Sequence, residues 1–427
     1  MLGRSFTCLA LSPGELATPG AAIAAARAGG VGILDLTRCA PEGLPALEAR
    51  VGELIAQTSA ESTIGLRLGL GQLRRATPLL SALAPRAHVV ILRGRPSAPS
   101  ALEGLSGGER TILAEVESVE AATAWQADWP SIGGFVANGG EAAGWSSGSG
   151  GFVLVQALLA SGVGPIWLRG GVGEHGAAAC RVAGCAGIVL DDQLLLMPEV
   201  ELPSGWRALL ERAEPYDAIL LGEHLDFRYR VLGQPSFPQV KELAAREAAL
   251  EIDDAPLAKR QRAWRNAVEA VLRFGPPEAC LWPIGQAIGL AATYRARYRT
   301  TGRLVQSILR TAETSIALAD RLRPLAAGGA LASAHGTTFP IVQGPMTRVS
   351  DTPAFAAAVA RAGALPMLAL GVMDGAQSRA LLTATRAELG DRPWGAGILG
   401  FMDPEVRRAQ LEAVRAAKPP FALVAGG

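Results

Sequence analysis

This sequence of 427 residues contains few cysteines and almost no excess of positive over negative charge. Forty basic and 39 acidic side chains leave a formal net charge of +1, so the composition indicates neither nucleic acid nor an anionic membrane as a partner. The cysteines are odd in number and form no Cys-x-x-Cys pair, which predicts neither a disulfide framework nor a metal site. They are Cys8, Cys39, Cys180, Cys185 and Cys280. We therefore expect a cytoplasmic protein without a bound metal.

Long apolar helices are also missing, although one uncharged run resembles a membrane span in length. Residues 144–168 carry no charge over 25 positions, which is long enough to cross a bilayer. Glycines and serines interrupt the run, as do Gln156 and Pro165. This composition predicts a glycine loop, a buried helix and a buried strand, and no membrane span.

What the sequence does contain is a compact strand, turn and helix pattern between Phe339 and Gly363. The apolar run 339–342 leads into Gln343-Gly344-Pro345-Met346, where the proline lacks a donor for a sheet ladder and ends the strand. Asp351 or Thr352 can then cap a helix whose first residue is a proline. The pattern predicts a β-turn-α unit.

The same unit occurs 334 residues earlier. Thr18-Pro19, seven residues and Arg27-Ala28-Gly29 match Thr352-Pro353, seven residues and Arg361-Ala362-Gly363 without a gap. An apolar strand follows at once in both copies. Chance can produce such a match in an alanine-rich chain, but the shared order of cap, helix, glycine stop and strand favours duplication.

Eight short apolar runs in the first 200 residues are separated by segments of helical length. Their spacing near 25 residues and their continuous hydrophobicity indicate buried parallel strands. We predict a compact α/β fold of the (β/α)8 TIM-barrel class, with an open doubly wound sheet as the alternative. The predicted strands are Thr7–Leu11, Gly32–Leu36, Thr63–Leu68, His88–Leu92, Thr111–Val116, Ile132–Val136, Pro165–Leu168 and Gly187–Leu190.

Residues 198–334 interrupt this alternation, because helical patterns dominate there. Examples are Gln239–Leu250, Ala258–Phe274 and Thr301–Leu322, joined by proline-rich segments. We therefore predict three domains: a complete first barrel over 1–200, a helical cap or linker over 201–334, and the first half of a second barrel over 335–427.

The second copy resumes the alternation for four strands only. They are predicted at Phe339–Val342, Leu365–Leu370, Trp394–Leu399 and Phe421–Val424, with helices between them at Pro353–Ala362, Ala376–Leu389 and Pro404–Ala417. Four strands leave two open edges and an uncovered apolar interior. We therefore expect this chain to be a fragment of a longer polypeptide, or its half barrel to pair with a partner.

A glycine-rich turn follows the seventh strand of the first copy, in Arg169-Gly170-Gly171-Val172-Gly173. In barrels of this class phosphate is commonly held by the loops after strands seven and eight. Glycines let backbone donors approach an anion, and the start of the next helix adds a favourable dipole. The same run is also compatible with a plain tight turn.

Together with Gln343-Gly344-Pro345-Met346 and the loop Gly139-Gly140-Glu141-Ala142-Ala143-Gly144, these residues resemble the nitronate monooxygenase family, also called 2-nitropropane dioxygenase-like. Its members are FMN-binding (β/α)8 barrels related to flavin enoyl reductases. The resemblance implies that Gln343, Gly344, Pro345 and Met346 face a flavin in the second copy. In the first copy it implies a cofactor site at Asn138, Gly139, Glu141, Gly144, Gly170 and Gly171. Gln286 resembles the helix start that closes the site in related barrels, with a plain helix cap as an equal alternative.

Two positions of the first copy depart from the family pattern. Trp145 occupies the place of the family's catalytic histidine, and an indole cannot accept a proton at neutral pH. Asp191-Asp192 replaces the Gly-Thr pair that surrounds the flavin phosphate, and two carboxylates repel a phosphate dianion. Because Trp145 replaces the histidine, the catalytic base is undetermined. Glu141 lies in the same loop. A degenerate first barrel that binds no flavin is therefore an equal alternative.

Three functional hypotheses follow. The first is an FMN-dependent oxidoreductase module of the nitronate monooxygenase or enoyl reductase type, with NADPH as a candidate hydride donor. The resemblance to duplicated barrels at the amino terminus of polyketide or fatty-acid synthase-like multienzymes implies a small or carrier-bound acyl substrate and further domains as partners. The second is a non-catalytic scaffold or docking barrel that has lost flavin binding. The third is a first barrel that holds another phosphate-bearing ligand at Gly170-Gly171.

Overall fold

The computed structural model describes residues 5–426 apart from 17, 39–43, 84–85, 87, 97–101, 103–104, 106–109, 234–236, 273–274 and 278–279. It divides into a first unit, Met1–Ala317, and a second unit, Leu318–Gly427. Cys8, Cys180, Cys185 and Cys280 are buried free thiols, while Cys39 lies outside the described residues. No helix in the described parts of the chain is both long and apolar enough to cross a membrane.

The first unit contains a closed barrel of eight parallel strands, which confirms the predicted (β/α)8 fold. The ring closes where the last barrel strand pairs with the first, with Thr7 opposite Gly187 and Ala10 opposite Leu190. The barrel strands are β1 (Thr7–Leu11), β2 (Val31–Asp35), β3 (Ile64–Gly69), β4 (His88–Arg93), β5 (Arg110–Val116), β6 (Gly134–Asn138), β8 (Ile166–Arg169) and β9 (Gly187–Leu190). A two-residue strand, β7 (Gly144–Trp145), lies outside the ring.

The strand predictions agree closely with these bounds. β1 and β9 coincide with them, and β6 lies two residues later than predicted. The helices around the barrel bury alanine and leucine faces against the strands, as in α1, where five of eight residues are buried. They are α1 (Gly20–Arg27), α2 (Leu44–Ala56), α3 (Leu73–Leu83), α4 (Val119–Asp128), α5 (Gly151–Ala160) and α6 (Glu174–Ala183).

The barrel interior is filled by apolar side chains around one tryptophan. Trp167 is fully buried, and its indole N–H donates to the Thr7 hydroxyl at 2.7 Å. A Cβ at Gly134 or at Gly187 would lie 2.8 Å or 2.6 Å from the indole. The two glycines on the neighbouring strands therefore make room for this ring, and the barrel is a packed core without a channel.

The segment after the barrel corrects one prediction, because it is not purely helical. β10 (Ala218–Leu221) and β11 (Tyr229–Leu232) form an antiparallel hairpin, and β7 pairs with β11 as its third strand. The seven-residue connection, 222–228, is longer than common hairpin loops, so the usual two-residue turn signal is missing. The helices of this cap are α7 (Ser204–Leu210), α8 (Pro238–Glu251), α9 (Leu257–Val271), α10 (Ala291–Tyr298) and α11 (Thr301–Leu322).

Two kinds of contact hold the cap together and on the barrel. The hairpin packs on α8 and α9 through a cluster that includes Tyr229 and Trp264, while Leu304, Val305 and Ile308 of α11 belong to the barrel's outer core. Glu247 of α8 accepts from the N–H groups of Gly222 and His224 in the hairpin connection. The cap up to Ala317 therefore belongs to the same compact unit as the barrel.

The second unit carries a four-stranded parallel sheet. Its strands are β12 (Val342–Gln343), β13 (Leu365–Ala369), β14 (Gly395–Leu399) and β15 (Phe421–Ala425), and its helices are α12 (Ala330–His335), α13 (Pro353–Arg361), α14 (Gly375–Leu389) and α15 (Pro404–Ala417). The hydroxyl of Thr352 caps α13 by accepting from the Phe355 N–H. The strand predicted at Phe339–Val342 is displaced, because β12 begins three residues later and shares only Val342 with it.

The proposed duplication has a counterpart in the structure. With the same offset of 334, the bounds of β2 (31–35) align with those of β13 (365–369). Helices α1 and α13 both end at the repeated arginine. The glycine after each helix is left-handed, with φ of +86° at Gly29 and +85° at Gly363. A side chain is strained at such angles, so glycine is required for this helix stop.

Candidate functional site

A buried network of charges occupies the carboxyl ends of the barrel strands, where sites of this fold lie. Arg67 of β3 forms ion pairs of 2.6 Å with Asp35 of β2 and with Glu115 of β5. All three side chains are buried. Burial alone would raise the pKa of Glu115, but the neighbouring Arg67 and Arg169 hold this pKa at about 2. Both charges of the Arg67–Glu115 pair are therefore present at neutral pH.

The network continues to the opposite side of the ring. Arg169 of β8 lies 2.8 Å from Asp191 and donates to the Asn138 side chain at 3.4 Å. It also donates to the Ala143 carbonyl at 3.2 Å. The polar groups at the end of β8 are therefore directed toward neighbouring protein groups.

The space left within this part of the mouth is small. The cavity between Arg67, Arg169 and the Asp191-Asp192 pair has a volume of about 50 Å³. Pockets for drug-sized or cofactor-sized ligands have volumes of about 300–1,000 Å³. A flavin ring does not fit at this position of the first barrel.

The predicted phosphate turn is occupied by the chain itself. Gly170 and Gly171 have φ of +106° and +66°, and a Cβ at Gly170 would lie 2.6 Å from the Ala142 nitrogen. The loop after β6 thus fills the space over the glycines. On the neighbouring strand, the Asp192 carboxylate accepts from the Gly285 N–H at 2.6 Å. Burial and the adjacent Asp191 raise the pKa of Asp192.

Protein groups also occupy the start of α6, which the sequence predicted as a second donor to phosphate. The Glu174 N–H donates to the Tyr294 hydroxyl at 2.9 Å, and a Cβ at Gly173 would lie 2.4 Å from that oxygen. The Glu174 carboxylate accepts from Tyr298, Ser307 and Thr311 at 2.5–2.8 Å. A protein carboxylate therefore occupies the favourable end of the helix dipole. Together with the Asp191-Asp192 pair, it makes the residues present unsuited to a flavin phosphate.

The residues after β6 have structural partners. Trp145 stacks on Phe227 at 4.3 Å and meets Tyr229 edge-on at 4.6 Å, and β7 pairs Trp145 with Tyr229. Glu141 accepts from the Gly151 N–H at 2.9 Å and so caps the start of α5. These contacts attach the loop to the cap and to α5.

Two further predicted residues lie at the same loop. Gln286 begins a short 3-10 helix, and its N–H donates to the Glu141 carbonyl at 2.9 Å. Gly139 extends the β6–β8 pairing by donating to the Arg169 carbonyl at 3.0 Å. A Cβ at Gly139 would lie 2.6 Å from Gly151, so the close approach of α5 requires glycine there.

In the second unit, the four predicted flavin-facing residues lie together at the carboxyl end of β12. The Gln343 side chain accepts from the Met367 N–H at 3.2 Å, and Met346 is 45% exposed. No atom lies within 4 Å of the Cβ position of Gly344, whereas Pro345 packs against Gly397 of β14. This edge of the second unit is open to a ligand, in contrast to the filled glycine turn of the first barrel.

A large cavity that the sequence did not predict lies on the β3–β5 side of the first barrel. Its volume is about 890 Å³, and Arg93 and Glu117, which follow the apolar runs of β4 and β5, line it. Neither the glycine turn nor 191–193 is among the described residues of its lining. The signal for this cavity in the sequence is a polar residue directly after an apolar strand, as at Arg93 and Glu117.

No protein-family model matches this chain, and no curated protein matches it in sequence. Solved structures do match. FabK from Thermotoga maritima is 18% identical, with a TM-score of 0.57 over 75% of this chain and 96% of FabK. Nitroalkane oxidase from Streptomyces ansochromogenes is 19% identical, with a TM-score of 0.51 over 72% of this chain and 97% of its own. This chain has the fold of these proteins.

A third structural relative is the enoyl reductase domain of MlnA, from the macrolactin biosynthesis cluster of Bacillus amyloliquefaciens. It is 10% identical, with a TM-score of 0.54 over 75% of this chain and 97% of the domain. At such identities the likeness establishes the fold alone. The function of this chain therefore has to be argued from its own site residues.

Proposed function

We propose that the first unit is a barrel without flavin chemistry, which serves as a scaffold or docking module. FMN-dependent oxidoreductase chemistry of the nitronate monooxygenase or enoyl reductase type belongs to the second unit, which contains Gln343–Met346. The observation that carries the first part is the small space between Arg67, Arg169 and the Asp191-Asp192 pair, where charged side chains leave about 50 Å³. Two carboxylates near the glycine turn support it further, Glu174 at the start of α6 and Asp192 shortly after β9.

The second part rests on the exposed carboxyl end of β12. Gln343, Gly344, Pro345 and Met346 resemble the first-strand signature of the flavin barrels, and the backbone of Gly344 is open to close approach. A flavin bound there would supply the redox chemistry, while this chain's residues would contribute an amide donor and an apolar contact surface.

The multienzyme context is part of the same proposal. FabK is a structural relative, and MlnA contributes an enoyl reductase domain from a biosynthesis cluster. These likenesses support a role at the amino terminus of a polyketide or fatty-acid synthase-like multienzyme. A carrier-bound acyl group would then be the substrate, with further domains of the polypeptide as partners.

Titration of the whole chain with FMN, followed by flavin fluorescence and calorimetry, tests both parts. We expect the double variant Trp145→His/Asp192→Thr to acquire no additional FMN site, since Glu174 and the loop over Gly170 still fill the phosphate position. Any FMN uptake should be lost in Gln343→Ala and retained in Gly170→Val.

The opposite pattern contradicts the proposal. One-to-one FMN uptake that Gly170→Val abolishes and Gln343→Ala leaves intact would place the flavin in the first barrel. A chain that takes up no FMN in any variant would contradict the assignment of flavin chemistry to the second unit and leave the scaffold role of the first.

A further inference from the structure

The large cavity of the first unit has the size and position of a ligand site. It lies beside the carboxyl ends of β3, β4 and β5, under the hairpin and α9 of the cap. Its volume of about 890 Å³ is within the range of pockets for small organic ligands, about 300–1,000 Å³. An arginine at the end of β4, an aromatic pair and the acidic residues of the lining define the ligand that fits this cavity.

The cation is Arg93, the last residue of β4. Its guanidinium is partly buried and lines the cavity, and within the described residues it has neither a hydrogen-bond acceptor nor a carboxylate within 4.0 Å. Burial lowers the pKa of Arg93, and the nearby Arg38 and Arg67 lower it further. Those two neighbours have partners, since Arg67 pairs with Asp35 and Glu115, and Arg38 with Glu15.

An unpaired cation in such a place is energetically unfavourable. Burial and the two neighbouring arginines outweigh the attraction of Glu115 and Tyr229, so the positive charge of Arg93 is only partly compensated within the protein. The guanidinium also presents donors in a planar fork that matches a carboxylate. An anionic group in the cavity would offset this cost, so the missing acceptor is best supplied by a ligand.

The wall of the cavity on the cap side contains an aromatic pair and two leucines among charged residues. Trp145 and Phe227 stack with an interplanar angle of 23°, and Leu272 and Leu281 lie beside them. Arg265 lies over Phe227 at 5.0 Å from the ring centre. Such a surface accommodates a planar, largely apolar body through ring stacking.

Acidic residues restrict the charge that the ligand carries. In the described lining, five arginines are outnumbered by six acids, which are Glu15, Glu115, Glu117, Glu120, Asp226 and Glu269. Burial and the neighbouring Glu115 raise the pKa of Glu117 to about 7, and the protonated form of this carboxyl can donate a hydrogen bond. Carboxylates repel a dianion more strongly than a monoanion, which favours a carboxylate over a phosphate.

We propose that this cavity binds a planar, mainly apolar monocarboxylate, with its carboxylate on Arg93 and its apolar body against Trp145 and Phe227. This site goes beyond the scaffold role proposed for the first unit, and it does not depend on flavin binding. It gives the barrel a ligand on the β3–β5 side of the mouth, away from the closed glycine turn.

Calorimetric titration of the whole chain with 2-naphthoate tests the site, with 2-naphthamide and 2-naphthyl phosphate as the neutral and dianionic probes. We expect saturable one-to-one binding of 2-naphthoate and at least about tenfold weaker binding of the other two, because a charge-assisted pair is worth about 1.5–3 kcal/mol. Arg93→Met should weaken 2-naphthoate binding by about tenfold or more.

Arg95→Met is the matched control, since Arg95 lines the same cavity but already forms an ion pair with Asp128 at the surface. We expect its affinity for 2-naphthoate to change by less than about threefold. Thermal unfolding without ligand provides a second readout. Arg93→Met should raise or preserve the Tm, because it removes an uncompensated charge, whereas a structural role for Arg93 would lower it.

Any of three results would overturn the proposal. The first is absence of 2-naphthoate binding to the folded wild-type chain. The second is equal affinity in wild type and Arg93→Met. The third is tighter binding of 2-naphthyl phosphate than of 2-naphthoate. The FMN titration is unaffected by each of these outcomes, so the two proposals fail separately.

Discussion

Single side chains at the ends of the barrel strands determine what the first unit can bind. Arg67 pairs with Asp35 and Glu115, and Arg169 pairs with Asp191, whereas Arg93 and Glu117 line the large cavity without an ion pair in the described residues. The sequence places these residues directly at or after an apolar strand, which predicts the mouth of the barrel. It does not show which of them pair, because the partners come from different strands.

Glu117 provides a test at the residue scale. The groups that face it are Glu115, Asn138 and Arg93, and burial is the main reason that its pKa is raised to about 7. Between pH 4.5 and 7 the unfolded chain loses this proton while the folded chain keeps it, so the free energy of unfolding falls as pH rises through this window.

Glu117→Gln removes that loss. We expect the variant to gain about 1–3 kcal/mol of stability relative to wild type when the pH is raised from 5 to 8, measured by urea unfolding at both pH values. Glu120→Gln is the control, since backbone and Ser118 hydrogen bonds at the start of α4 lower the pKa of this exposed carboxyl. A pH-independent difference for Glu117→Gln would contradict the assigned titration.

At the scale of elements, the regular succession of apolar strands and helices along the chain was sufficient to predict the barrel strands. Continuous apolar runs of four to seven residues, each followed by a helix, specify a parallel sheet because both of its faces are covered. The sequence did not predict the hairpin β10–β11, because continuous apolar runs of this length are not specific to strands. Its strands are short apolar runs like those of buried helices, and only the pairing with β7 makes Trp145 a strand residue.

Glu174 tests how α6 is attached to the cap helices. Burial would raise the pKa of its carboxyl, but hydrogen bonds from Tyr298, Ser307 and Thr311 and the charge of Arg297 lower the pKa below its usual value. The stabilisation is therefore present above pH 4.5 and is lost as the pH falls through the lowered pKa.

We expect Glu174→Gln to reduce the free energy of unfolding at pH 7 by about 1–3 kcal/mol, because charge-assisted hydrogen bonds to α10 and α11 are weakened. Glu313→Gln is the matched control on α11, where an exposed carboxylate pairs with Arg181 at 3.4 Å. Its change should stay within about 0.5 kcal/mol. Equal effects of the two substitutions, measured by chemical denaturation, would show that the Glu174 contacts contribute little.

At the scale of the whole molecule, closure of the first barrel depends on its packed interior. Trp167 fills the space between Gly134 and Gly187 on adjacent strands. We expect Trp167→Ala to lower the free energy of unfolding by about 3–5 kcal/mol, since no neighbouring side chain on those strands can expand into the cavity. Trp129→Ala, at a partly buried position outside the ring, should cost clearly less in the same denaturation experiment. Comparable losses would contradict the central role of Trp167.

The sequence by itself determined the (β/α)8 ring, most strand bounds and the repeated β-turn-α unit, because these depend on local periodicity, caps and glycine stops. Only the tertiary structure decided the chemistry of the first barrel's mouth. Whether Gly170-Gly171 is free to hold a phosphate depends on the loop that packs over it, and whether Arg93 has a partner depends on three neighbouring strands. Such contacts join residues far apart in the chain, so their geometry arises only when the ring closes.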